Sequence, residues 1–395
     1  MNPSYLRRSN QRLIVETVLR LRTASRAQLT RISGISSPTV SRIVDDLLST
    51  GILMETDDAE APDASLVPTA LYRETPKSVV AASVGRPSAP LALNNRKQRF
   101  LALQIGVTTT RLTRTPIALP DHDVWELTFP TPTTASEWSV QLARCTARLP
   151  VNDLEAVIVS VPGVIDESTG RVILSPNLRW AESTDLRQAI ERVVACNMNV
   201  LFVQETRALA LGHLAASADA GDFFLIDFGT GVGGAAIIGG ALFAGALPLS
   251  GEIGHTPVIG NTRLCGCGSV GCLETLLSRR GLLKTAREND NVEVWQDVIE
   301  RVTQNGIPDW LKRTLDAAAV CMAASLNVLG LRQVVVTGCI CDFPPSVIDY
   351  LANAIRADAM WARFGTVELH TAPRRRLAGM VHSAIGRTLL QADGR

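Results

Sequence analysis

GEIGHTPVIGNTRLCGCGSVGCLE, residues 251–274, puts one histidine, three cysteines and two glutamates among glycines. The chain holds eight cysteines; three lie at 265, 267 and 272, and the other five are scattered. That is a metal-type cluster in a reduced protein and not a disulfide framework. His255, Cys265, Cys267 and Cys272 have the spacing H-x9-C-x-C-x4-C, one imidazole and three thiols for a tetrahedral zinc. Gly266 and Gly268 let the backbone fold tightly enough for neighbouring thiols to face one ion. With four protein donors the site reads as structural, one zinc per chain, with no open position for catalysis. A zinc there would also fix the flanking acids Glu252 and Glu274. Rigidly held carboxylates and an imidazole N–H are good partners for sugar hydroxyls.

On either side of this loop the chain alternates strands and helices. FLALQIGVTTTRL reads as strand, Gly turn, strand, and AVIVSVPGVID as a buried strand ending in Pro-Gly. NVLFVQETRALALGHLAA is a strand running into a helix. FFLIDFGTGVGGAAIIGG is strand, Gly-rich turn and strand, and VVVTGC is one more strand. Two Gly-turn hairpins about 125 residues apart suggest a duplicated α/β lobe closing a cleft. The turn Gly229-Thr230-Gly231 offers backbone N–H groups to a phosphate, a weak signal by itself.

The first fifty residues differ from the rest. Eight arginines face only Glu16, Asp45 and Asp46, so this head carries +5 in a chain of net charge +1. A basic head on a slightly acidic body is a nucleic-acid footprint. Ser9-Asn10 is expected to cap a first helix, SRAQLTRI (residues 25–32) to form a second closed by Gly34, and Ser36-Ser37-Pro38 to open a third. Val40, Ile43, Val44, Leu47 and Leu48 would face inward. This is the helix-turn-helix arrangement, with Ser37, Thr39, Ser41 and Arg42 near the start of the third helix to meet bases and phosphates. ILMET and APLALNN are two strands of a wing, and Arg86 between Gly85 and Pro87 can enter a minor groove. Residues 57–84 read as a flexible insertion. Removing residues 1–90 is expected to leave the body folded. No apolar run is long enough to span a membrane, and residues 13–21 are broken by Glu16, Thr17 and Arg20, so no signal peptide is expected and the protein should be cytoplasmic.

GEIGH…CGCGSVGCLE, SVPGVID…SPNLRW, DFGTGVGGAAIIGGALFAG and the head's TVSRIVDDLLSTGIL and SVGRP together resemble the ROK family (repressor, open reading frame, kinase). The resemblance covers nearly the whole chain. It implies a two-lobed actin-like/hexokinase-like α/β fold preceded by a winged helix-turn-helix domain. Residues 1–95 would form the DNA-binding domain, 98–220 the first lobe completed by helix 373–395, and 221–372 the second lobe with the zinc loop. It further implies a sugar pocket of Gly163, Asn177, Gln204, Glu205, Glu252, His255 and Glu274. His255 would serve both metal and sugar, and Gly229, Thr230 and Gly231 would be the remnant of a nucleotide cradle.

Two departures separate the chain from kinase members of that family. Gln104 stands where they carry an acid, and Glu205 where they carry the aspartate base, one methylene shorter. The expected function is a non-enzymatic, sugar-responsive DNA-binding regulator, a repressor of carbohydrate uptake or catabolism genes, with residual kinase activity left open. Its expected partners are a double-stranded DNA operator, a sugar effector and a second or further copies of the chain, as dimer or tetramer. The alternatives are an ATP-dependent sugar kinase and a regulator controlled by a protein partner with a vestigial sugar pocket.

Overall fold

The computed structural model describes residues 3–56, 89–118, 122–151, 154–194, 198–217, 220–243 and 250–389. Arg86 and the insertion at 57–84 lie outside the described residues.

The head contains α1 (Pro3–Leu21), β1 (Thr23–Ala24), α2 (Arg26–Ser33), α3 (Ser37–Ser49), β2 (Leu53–Glu55) and β3 (Leu91–Leu93). Helix α1 starts six residues before the expected Ser9-Asn10 cap, which lies inside it. Helix α2 starts where its sequence predicts. The Ser25 hydroxyl accepts from the Gln28 N–H while the Gln28 side chain accepts from the Ser25 N–H, a reciprocal capping box. Gly34 ends it in the left-handed region at φ 68°. In α3, Val40, Ile43, Val44 and Leu47 are buried, but Leu48 is only half-buried. Strand β3 pairs antiparallel with both β1 and β2. The two-residue β1 was too short to carry any periodicity.

Two five-stranded sheets follow. The first contains β4 (Gln98–Ile105), β5 (Thr109–Pro116), β6 (Leu127–Pro130), β7 (Ala156–Val161) and, after the small β8 (Val164–Asp166) and β9 (Arg171–Leu174) ribbon, β10 (Asn199–Gln204). Its order is β10-β7-β4-β5-β6, parallel on one side of β4 and antiparallel on the other. The second contains β11 (Phe223–Phe228), β12 (Val232–Ile238), β13 (Ala241–Leu242), β14 (Gln333–Gly338) and β15 (Glu368–Thr371). Its order, β13-β12-β11-β14-β15, repeats the same pattern about β11. The duplicated lobe anticipated from the two Gly turns is present. The parallel strands β7 and β11 are buried at every residue, as strands covered on both faces must be.

Helices α4 (Ala135–Thr146) and α5 (Leu186–Val194) cover the first sheet. Helix α6 (Glu205–Ala216) leaves β10 and passes between the lobes. In the second lobe α7 (Glu274–Leu277), α8 (Arg279–Asp290), α9 (Trp295–Asn305), α10 (Asp309–Leu329) and α11 (Pro345–Asp358) build the largest core. Helix α12 (Arg376–Ala384) returns from β15 to pack on α6. The crossing is close because a methyl on Gly379 would strike the Ala208 carbonyl, and one on Gly212 the Arg375 carbonyl.

The head is not a separate core. Ile14, Val15, Val18 and Leu29 share one buried cluster with Phe100 and Ile158 of the first sheet and with Met380 and Val381 of α12. Arg99, 3% exposed, pairs with Glu155 and donates to the Thr50 carbonyl at the end of α3, at 2.6 Å. This shared cluster argues against the expectation that removing residues 1–90 leaves the body folded, since truncation would strip it of nearly half its buried members.

Candidate metal centre and interlobe cleft

The loop after the short 3-10 turn Ile253–His255 folds back on itself. Val258 donates to the Gly271 carbonyl and Leu273 to Thr256, while Cys265 and Gly268 close a turn with Ser269 and Cys265. Gly268 and Gly271 sit at φ 97° and 88°, where other residues are strained. The donor atoms of His255, Cys265, Cys267 and Cys272 all lie within 4.8 Å of one another. His255 Nδ1 is 3.6 Å from Cys265 Sγ, and Cys267 Sγ is 3.7 Å from Cys272 Sγ. A tetrahedron with bonds of about 2.0–2.3 Å needs edges of about 3.3–3.8 Å, so the donor set fits a metal ion with little movement.

With Nδ1 among the thiols, the other ring nitrogen faces the cleft, where Nε2 lies 3.7 Å from Glu252 Oε2. The opposite Glu252 oxygen accepts from Gln204 Nε2 at 3.0 Å, a bond from the end of β10 across to the second lobe. Burial pushes the Glu252 carboxyl above its usual range; His255 and the Gln204 bond oppose this and Glu274 adds to it. Glu274, at the start of α7, uses Oε2 to accept the Val232 N–H at 2.9 Å, tying the metal loop to the Gly-rich hairpin of β11 and β12. A methyl on Gly231 would come 2.7 Å from that oxygen.

Gly163 is required where it stands, at φ 97° with a methyl blocked by the Leu174 carbonyl. Asn177 lies exposed in the turn after β9 and hydrogen-bonds to none of the other predicted residues. Its neighbours reach the metal loop instead. Arg179 Nη2 donates to the Gly266 carbonyl at 2.6 Å, and Pro176 would contact a methyl on Gly266 at 2.8 Å. The first lobe thus grips the peptide between two cysteines.

The two positions that depart from the kinase pattern are engaged with each other and with arginines. Gln104 donates to Glu205 Oε1 at 3.4 Å and accepts from Arg111 at 3.2 Å. Arg376 Nη2 lies 2.6 Å from Glu205 Oε1, and its Nη1 lies 3.8 Å from Asp123. Arg376 is 7% exposed, so the carboxylate that would act as base is held by a buried cation. Near the nucleotide remnant, Gly229 donates to the Gly231 carbonyl and its own carbonyl accepts from the Arg279 N–H. Thr230 sits between them, outside both strands.

In the head, Ser37 and Arg42 are exposed and Thr39 and Ser41 half-exposed on α3. Asp45 and Asp46 are paired with Arg26 at 2.9 Å and Arg7 at 2.7 Å, while Arg42 has no ion pair among the described residues. Its charge is left outward.

Sequence reasoning missed Asp123, Asp227, Arg374, Arg376 and Arg179. The one signal was the basic run Arg374-Arg375-Arg376, immediately before a helix where an acid is usually favoured.

Among known proteins, the chain is 25% identical over 360 residues to a xylose repressor of Caldicellulosiruptor bescii, covering 88% of this chain and 84% of that protein. It is 28% identical over 186 residues to a glucokinase of Streptomyces coelicolor, covering 46% of this chain and 58% of that protein. In structure it is similar to a ROK family transcriptional regulator, a homologue of the E. coli MLC protein. The TM-score there is 0.70 at 18% identity, covering 97% of this chain and 98% of that one. No helix among the described residues is long and apolar enough to cross a membrane. The model of the ROK family matches residues 101–386, most of the two lobes, and the chain belongs to that family.

Proposed function

We propose that this protein is a sugar-responsive transcriptional repressor. The three helices and small sheet of the head act as a winged helix-turn-helix, with α3 carrying Ser37, Thr39, Ser41 and Arg42 to operator DNA. Residues 1–95 form this DNA-binding unit, 98–220 with 373–395 the first lobe, and 221–372 the second. One zinc ion per chain, held by His255, Cys265, Cys267 and Cys272, fixes the loop on which Glu252 and Glu274 meet a sugar's hydroxyls. Gly163, Asn177, Gln204 and Glu205 complete that pocket from the other lobe. The protein works as a homo-oligomer, since operator half-sites are read by paired heads.

The observation that carries this reading is the Glu205–Arg376 ion pair at 2.6 Å. A general base must be free to reach its substrate, and Glu205 Oε1 is instead engaged by a buried guanidinium. Glu252 meanwhile accepts from Gln204 and stands beside His255, an arrangement that supports a hydroxyl-binding role for them. Similarity to a xylose repressor along 88% of the chain supports the same assignment. Binding energy from the sugar then moves a population between two lobe arrangements, by no more than its preference for one of them.

The test is operator binding with and without a sugar panel that begins with xylose. Purified protein should retard a DNA fragment from upstream of its own gene, and one sugar should shift that affinity. ATP consumption with the same sugar at an ordinary kinase rate, about 1 per second or faster, would refute the non-catalytic reading.

A further inference from the structure

The C-terminal ends of adjacent parallel strands are where α/β sheets receive ligands. In the second lobe those ends are Phe228 of β11 and Gly338 of β14, which are register partners, followed by the Gly229–Gly231 turn. Gly338 is at φ 88°, and neither Gly229 nor Gly338 has a side chain to fill the space between them. That space is already taken. Arg374, on the segment leaving β15, folds its guanidinium back over the two strand ends. Nε lies 2.7 Å from Asp227 Oδ1, and Nη2 lies 3.0 Å from Asp227 Oδ2 and 3.2 Å from the Phe228 carbonyl oxygen. A methyl built on Gly229 would come 2.7 Å from Nη2, and one on Gly338 2.5 Å from it. Gly229 makes room for the arginine, whereas a methyl on Gly338 would first strike the Phe228 carbonyl.

We propose that Arg374 is a built-in plug of the phosphate cradle, which makes this cleft a one-ligand site closed to nucleotides. The guanidinium lies over Gly229, where a phosphate approaching the turn would have to sit, and the Gly229 N–H is itself already donated to the Gly231 carbonyl. Its charge is not available to attract them. Asp227 is 7% exposed, takes a two-pronged bond from Arg374 and a further one from the Thr337 hydroxyl at 2.6 Å. Planar carboxylate–guanidinium pairs of this kind are strong and directional. Swinging Arg374 out would leave Asp227 buried without a countercharge, next to an incoming polyanion. Burial works against the charge on Arg374, but Asp227 outweighs it and Glu205 adds to the effect, so the guanidinium is held above its usual range. The sequence change from catalyst to sensor is then not only the loss of acids at 104 and 205. It includes a residue that fills the second substrate's seat.

This inference depends on neither the sugar nor the operator, so its failure is separate from that of the regulatory reading. The experiment is titration of the full-length, metal-loaded protein with a fluorescent ADP analogue and Mg²⁺, confirmed by calorimetry with ATP. The wild type should show no saturable binding up to about 5 mM. Arg374→Ala should bind at least about tenfold more tightly. Because that variant leaves Asp227 bare, the double variant Asp227→Asn with Arg374→Ala is made beside it and checked by circular dichroism and metal content. Arg374→Met, which keeps the volume without the charge, should stay closed. Wild-type binding within tenfold of the double variant, or a folded double variant that binds no nucleotide, would overturn the proposal.

Discussion

Glu205 Oε1 lies 2.6 Å from Arg376 Nη2, and the same guanidinium reaches Asp123 on its other side. One buried cation therefore serves two carboxylates. Arg376→Ala should destabilise the protein by about 3 kcal/mol, because removing one member of a buried charge network strands the others. Arg376→Lys should recover only part of this, since a single ammonium cannot present the same fork. Urea denaturation measures both.

The plug and this ion pair together predict how hard catalysis is to restore. Gln104→Asp with Glu205→Asp should leave ATP turnover undetectable with any sugar that binds. Adding the Arg374→Ala change should be needed before phosphorylation is seen in a coupled assay. Turnover by the two-residue variant alone would show that the cradle was open.

Removing the metal should act on the cleft through the loop. Purified protein should contain about one zinc per chain by elemental analysis, the number a closed four-donor site holds. Cys267→Ser should lose it and free the Gly266 carbonyl from Arg179. The sugar-induced thermal shift should vanish with it. Glu252→Ala should cost the sugar about 2 kcal/mol or more of affinity by deleting the acceptor for a hydroxyl and for Gln204. Apo DNA binding should be unchanged.

For the head, Arg42→Ala should weaken operator binding similarly on all sequences and lower the salt slope by about 1 if it meets only phosphate. A gel-shift series at several salt concentrations reads both quantities. A loss confined to the operator sequence would place Arg42 on a base edge instead.

Acid should loosen the joint between head and body. Burial holds His382 of α12 down at about 4, with Glu16 of α1 opposing and Arg12 adding to the effect. His213 of α6, which packs on Phe223 of the second lobe and not at the joint, is also held at about 4, again mainly by burial. Both are neutral when folded, whereas the unfolded chain takes up protons near pH 6.5. Stability is therefore full above about pH 6.5 and falls as pH drops toward 4, by up to about 3 kcal/mol per histidine. His382→Leu should flatten that pH dependence by about half, measured as melting temperature against pH.

The parts of the structure written in local pattern were legible. Ser25 and Gln28 announce α2, the alternation of Val40, Ile43, Val44 and Leu47 announces α3, and the three clustered cysteines with His255 announce a metal centre. The Gly turns at 106 and 229 gave away the duplication of the two sheets. What stayed hidden depends on long-range geometry. Asp227 and Arg374 are 147 residues apart, and neither carries a local signature. Met380 and Val381 carry no local sign that the surface they meet includes Ile14 and Val18. Even Leu48, inward by periodicity, is only half-buried, packed against the cluster that buries the other apolar residues of α3.

The crossing of α6 and α12 has a mechanical meaning. With Gly379 pressed on the Ala208 carbonyl and Gly212 on that of Arg375, the helices touch backbone to backbone at two points. Such a joint transmits displacement like a welded seam. Glu205 begins one limb of this piece, and the other limb ends among the residues that seat α1. A shift of Glu205 that moved α6 would therefore press directly on α12, whose buried residues seat α1.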